Sequence, residues 1–192
     1  KGGPIKQVKE LIGDRKPIIV PILAVETAGK NKIPLATADL LAHELNLEVS
    51  SDIVQINHVG RTGTGIDHRF AHQPMFSGEV EAGKDYLIID DTLSVGGTIA
   101  AARGYIENRG GKVVGAAVMT AHEGALNISV KSNMLDSIQA KHGDTMNEYW
   151  KGKFGYEIDR LTQGEAGHVK AAKDVDQLRD RISAAGNEKV LS

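Results

Sequence analysis

Residues 86–98 read Tyr-Leu-Ile-Ile-Asp-Asp-Thr-Leu-Ser-Val-Gly-Gly-Thr. An apolar run enters two adjacent carboxylates, Asp90 and Asp91, and then a turn rich in hydroxyls and glycine. Acids at the end of a buried strand are costly unless a ligand engages them. Ser94, Val95, Gly96, Gly97 and Thr98 have the composition of an anion cradle. Glycines allow close backbone approach, hydroxyls add donors, and a following helix turns its positive end towards the same point. The carboxylates have the wrong sign for a phosphate and suit diol hydroxyls or a cation that arrives with the ligand. A phosphorylated ribose satisfies both halves, with its 5′-phosphate in the turn and its 2′ and 3′ hydroxyls on the acids.

Other phosphate loops are excluded. The chain contains no G-x-x-x-x-G-K-[ST] sequence, and Gly63-x-Gly65 lacks the third glycine of a dinucleotide fingerprint and is read as preceding no helix.

The elements that must carry this stretch are legible in the apolar pattern. Runs at Pro17–Ala24, Asp52–Val59, Tyr86–Asp90 and Val113–Thr120 are rich in Ile and Val and alternate little, as parallel strands covered on both faces do. Pro34 opens an amphipathic helix through Leu45, and residues 98–111 form a second helix closed by Gly110-Gly111. Strand–helix–strand order predicts βαβ units and a parallel sheet, an α/β fold with flanking helices. Residues 60–84 break this rhythm with five glycines, two arginines and two histidines, and are read as a functional loop. From Met134 the pattern is helical and aromatic-bearing. Thr162 and Glu165 form a capping box. The expected division is a domain over 1–160 and a helical C-terminal appendage over 161–192.

Composition narrows the class further. The 192 residues are 41% hydrophobic and 25% charged, which is ordinary globular chemistry. A net charge of −2 carries no footprint for nucleic acid or an anionic membrane. No apolar run reaches membrane-span length. There is no cysteine for a thiolate nucleophile or a zinc–thiolate site, and this absence fits a cytoplasmic location. A chain that begins at Lys1 is read as a piece of a longer protein.

The 86–98 stretch resembles the phosphoribosyl-pyrophosphate signature of the type I phosphoribosyltransferases: hydrophobic strand, acidic pair, Thr92 and Leu93 as spacers, then Ser-x-Gly-Gly-Thr. The likeness extends in order over residues 17–120. It implies a type I phosphoribosyltransferase-like core with a mobile loop or hairpin. It also implies transfer of a phosphoribosyl group to a nucleobase or related acceptor with release of pyrophosphate. Lys30, Asn31 and Lys32 stand where the family grips pyrophosphate, and Arg61, Asp67, His68 and Arg69 stand in its catalytic loop. Mg²⁺ is the implied cofactor, with Asp90 and Asp91 nearest to it. The implied partners are the pyrophosphate donor, the acceptor and a second copy in a homodimer.

Ser94, "IPLATA" at 33–38 and the order Arg61…Asp67-His68 are similar to the orotate branch of that family, whereas Thr62 and Asn31 depart from it. Tyr149, Trp150, Phe154 and Tyr156 form the densest aromatic cluster. They are read as packing of the appendage, with a base hood as the other reading. The alternative function is a non-catalytic regulatory domain that binds the donor or a nucleotide within a larger protein.

Overall fold

In a computed structural model, residues 3–23, 25–26, 29–30, 32–57, 65–93, 95–121 and 129–187 are described. The chain divides into two compact units. Unit 1 comprises residues 1–58, 74–93 and 101–121, and unit 2 comprises 59–73, 94–100 and 122–192.

Unit 1 holds the parallel sheet. Strand β1 (Ile18–Pro21) pairs with β6 (Asp85–Leu93), and β6 with β7 (Lys112–Ala121), in the order β1-β6-β7. The register sets Ile18 against Tyr86 and Pro21 against Ile89 on one side. On the other side it sets Asp90 against Val118 and Leu93 against Ala121. Helices α1 (Pro4–Ile12) and α2 (Ile33–Leu45) cover one face, where Val8, Ile12, Ala38 and Leu41 pack with Ile19, Leu87 and Ile89. Pro4 and Pro34 sit in the first turns of these helices, where the missing N–H is harmless. Helix α4 (Gly97–Glu107) begins in unit 2 and continues in unit 1. Within unit 1, Ile106 and Tyr86 meet beside Gly111, on the sheet face opposite Leu87 and Ile89.

Three expectations change. The described part of the run at 52–59, residues 52–57, does not join the parallel sheet, and His58 and Val59 lie outside the described residues. Only β4 (Val54–Gln55) is a strand, and it pairs antiparallel with β5 (Phe76–Ser77). The reason is cover: Ile53 is buried but Ile56 is exposed, which suits a ladder with one wet face. Beside β1 the chain makes a single parallel bridge, Ile19 to Val49. Two further short strands, β2 (Val25–Glu26) and β3 (Gly29–Lys30), form an antiparallel pair.

Second, the segment read as a structureless loop contains helix α3 (Ile66–Ala71) as well as β5. Its Phe70 is buried in the core of unit 2, and that burial pins a short helix that glycine density concealed. Third, β6 does not stop at Asp90 but continues to Leu93, because β7 keeps pairing with it as far as Ala121.

Unit 2 is helical, with α3, α5 (Ser132–His142), α6 (Asp144–Phe154), a 3₁₀ turn (Ile158–Arg160), α7 (Gln163–Ala171) and α8 (Val175–Asn187). Phe70, Ile138, Met146, Trp150, Leu161, Val169, Leu178 and Ile182 share one core. The boundary expected between 160 and 161 falls inside this unit. Among the described residues no helix is long and apolar enough to cross a membrane.

Candidate functional site

The acidic pair lies on the best-supported strand of the fold. β6 is central, and its residues from Tyr86 to Asp90 are all buried. Side chains alternate along a strand, so Asp90 and Asp91 leave the backbone on opposite sides, yet their carboxyl groups still interact at the strand's end. Asp91 has the parity of Leu87 and Ile89 and is partly buried. Asp90 shares the face of Tyr86 and Ile88.

Asp90 is 8% exposed. Burial pushes its carboxyl up to about 7, the backbone N–H of Asp91 donates to its Oδ1 at 2.9 Å and pulls the other way, and the charge of Asp91 raises it again. A carboxyl poised near neutrality accepts a hydroxyl proton once ionised and tolerates burial when protonated. Beyond it, the Thr92 and Thr120 hydroxyl oxygens stand 3.2 Å apart, and Thr120 Oγ1 donates to the Asp91 carbonyl at 3.3 Å. Leu93 closes the strand as a buried apolar residue.

The turn that follows belongs to unit 2. Gly96 has φ 80°, a left-handed conformation that favours glycine, and its carbonyl accepts from Ala100 N at 2.9 Å as α4 starts. Gly97 and Thr98 form the first turn of that helix, where backbone N–H groups have no intrahelical acceptor. Strand and helix start follow in the order that the sequence predicts, and the left-handed Gly96 between them is a finding of the structure. Ser94 lies outside the described residues.

The remaining candidates are placed differently. Lys32 is exposed just ahead of α2, with its carbonyl accepting from Ala36 N at 2.9 Å, and Lys30 lies in β3. Asn31 and Arg61 lie outside the described residues. Asp67, His68 and Arg69 stand on α3 rather than in a loop. Asp67 is engaged by unit 2 itself: Arg181 Nε and Nη2 donate to its Oδ2 at 3.0 and 2.7 Å, and His168 Nε2 is 3.0 Å from its Oδ1. The His68 ring lies 4.4 Å from that of His72.

The aromatic cluster is core. Trp150 is fully buried, edge-on to Phe70 at 4.9 Å, and Gln73 Nε2 donates to the Tyr156 hydroxyl at 2.8 Å. Sequence reasoning did not foresee His168, Arg181 or the placement of Thr162. Nothing in their spacing pairs residues about a hundred positions apart, and only the capping box gave the Thr162 hydroxyl a defined local role.

No group of three or more His, Cys, Asp or Glu among the described residues is arranged to hold a metal. An adjacent pair of acids at a strand end fits a cation carried by a phosphorylated ligand. They do not form a resident cage. Mg²⁺ is commonly bound in that way, through one or two carboxylates plus phosphates and water.

No family model matches the chain. It is 62% identical over 186 residues to Protein TraN of Escherichia coli, a match covering 97% of this chain and 42% of that protein. It is 31% identical over 104 residues to HGPRTase-like protein 2 of Haloquadratum walsbyi, covering 50% of this chain and 58% of that one. The chain thus spans less than two thirds of the length of these relatives. Among solved structures it is similar to adenine phosphoribosyltransferase from Rhodothermus marinus, with 20% identity and a TM-score of 0.43, over 64% of this chain and 67% of that one.

Proposed function

We propose that residues 86–98 bind phosphoribosyl pyrophosphate and that the chain transfers its phosphoribosyl group to a nucleobase or related acceptor, releasing pyrophosphate. One observation carries this reading. A buried central strand delivers an acid held near neutrality, and the chain then makes a left-handed glycine turn into a helix start. The relative named HGPRTase-like supports the same reading from sequence, over half of the chain.

In this mechanism the N–H groups of Gly96 to Thr98 hold the 5′-phosphate, and Asp90 accepts a ribose hydroxyl. The acceptor nitrogen forms a bond to the anomeric carbon as the bond to pyrophosphate breaks. The electron pair leaves with pyrophosphate, and the acceptor loses its proton to solvent or to a base. Mg²⁺, when brought with the ligand, would neutralise charge on the leaving pyrophosphate. Asp90 and Asp91 are its nearest candidate contacts. Lys30 and Lys32, with Arg61, His68 and Arg69, are proposed to meet the same group. The test is a panel of nucleobases with labelled donor and Mg²⁺, read for pyrophosphate release.

A second reading is favoured by one observation. Asp67, expected in a mobile catalytic loop, is held by Arg181 and His168. A fixed α3 suits a regulatory domain that binds the donor or a nucleotide without turnover. That domain would be part of a larger protein, as the partial coverage of the relatives would also suit. Tight donor binding with no pyrophosphate release from any acceptor would select it over the transferase.

A further inference from the structure

We propose that Thr162, at the start of the C-terminal helices, is a positioning residue for the phosphate turn, and that it locks the peptide plane between Val95 and Gly96. The inference rests on the phosphate-binding reading above and adds to it a second part of the chain, in unit 2.

Thr162 is 1% exposed, and its hydroxyl has no freedom left. Oγ1 accepts the backbone N–H of Glu165 at 3.1 Å, which fixes its lone pair, and donates its single proton to the Val95 carbonyl at 2.6 Å. The Glu165 carboxylate completes the capping box by accepting from Thr162 N at 2.9 Å. The donor is therefore held by the helix end itself.

The consequence follows from peptide geometry. The carbonyl of Val95 and the N–H of Gly96 belong to one planar, trans unit and point in opposite directions. Holding the Val95 oxygen against α7 turns the Gly96 N–H away from α7, as the first donor of the cradle. Gly96 is the residue at which such a plane would otherwise flip, because glycine occupies positive and negative φ with similar ease. Its φ of 80° is one of those two states.

Packing repeats the constraint. A Cβ on Gly164 would stand 3.2 Å from Val95 Cγ1, so glycine there lets α7 close on the turn. The same helix start also reaches the chain after β7. Thr162 bridges Ser129, and the Gln163 side chain accepts from Lys131 N at 2.9 Å. The N-terminus of α7 thus anchors the segments that follow both β6 and β7, the strands whose ends would carry the ligand.

The experiment measures ribose 5-phosphate binding by calorimetry and thermal unfolding for the full chain and four variants. Thr162→Val should weaken binding about 10-fold, equivalent to ~1.4 kcal/mol. Thr162→Ser, which keeps the donor, should stay within about twofold of the parent. Glu165→Ala breaks the cap but keeps the bond to Val95, so it should lower the melting temperature and leave affinity in place. If Thr162→Val does not fold, Gly164→Ala serves instead: it displaces Val95 without touching the hydroxyl and should weaken binding. Parent-like affinity in Thr162→Val or, where that variant does not fold, in Gly164→Ala overturns the positioning role. Equal loss of affinity in Glu165→Ala and Thr162→Val also overturns it, since cap stability would then be the cause. A parent chain that binds no ribose 5-phosphate overturns the phosphate reading itself, and the role of Thr162 with it.

Discussion

Arg181 on α8 places two donors on one oxygen of Asp67 on α3, Nε at 3.0 Å and Nη2 at 2.7 Å. The two residues are more than a hundred positions apart, so this contact joins the segment before β5 to the end of the chain within unit 2. His168 Nε2 lies 3.0 Å from the other carboxylate oxygen and 2.9 Å from Arg181 Nη2, so the three side chains form one cluster. Arg181→Ala should lower stability by about 1–2 kcal/mol, a charge-assisted pair discounted for its partial exposure. Arg181→Lys should recover only part, because an ammonium cannot reproduce the forked geometry. Urea denaturation of both variants checks this, and a midpoint unchanged in the alanine variant would remove the pair from the account of stability.

Asp90 predicts a pH dependence of known sign. Its carboxyl is raised from 3.8 to about 7, so the folded chain keeps a proton that the unfolded chain has lost between those values. Stability contributed by this group is therefore present at low pH, falls as pH rises through that window and levels off above about 7. The change is no more than about 4 kcal/mol, at roughly 1.4 kcal/mol per pH unit. Asp90→Asn should abolish this component, so that its urea midpoint gains on the parent between pH 5 and pH 8. A constant gap across that range would contradict the buried-acid assignment.

The two acids should not be equivalent. Asp90 is buried at 8% exposure, whereas Asp91 beside it is only partly buried. Asp90→Asn should weaken donor binding by ~1.5–3 kcal/mol, the range for hydrogen bonds to a charged group. Asp91→Asn should cost less than half of that. Calorimetry with the order reversed would assign the ribose hydroxyls to Asp91.

Removing the chain after Arg160 tests the tail as a whole. Leu161, Val169, Leu178 and Ile182 share a core with Phe70 and Trp150, so truncation should open unit 2. Trp150 is the single tryptophan and is fully buried, which makes its emission a direct reporter. A red shift together with loss of ribose 5-phosphate binding is the expected result. Unshifted emission with binding retained would return residues 161–192 to the status of an independent appendage.

What the sequence determined alone is local. The buried strand, the helix start after it and the capping box are each set by residues within a few positions of one another. Tyr86–Thr98, Pro34 and the pair Thr162 and Glu165 announced them. The tertiary structure decided everything that depends on cover or on distant partners. Where residues 52–57 paired depended on a partner more than twenty positions away, β5, and not on their own apolar pattern. How far β6 ran depended on pairing with β7. Asp67 passed from a loop candidate to an ion pair because Arg181 folds back on α3, a contact with no periodicity to reveal it. Thr162 read as a helix cap, and only the packed chain put Val95 at the other end of its hydroxyl bond.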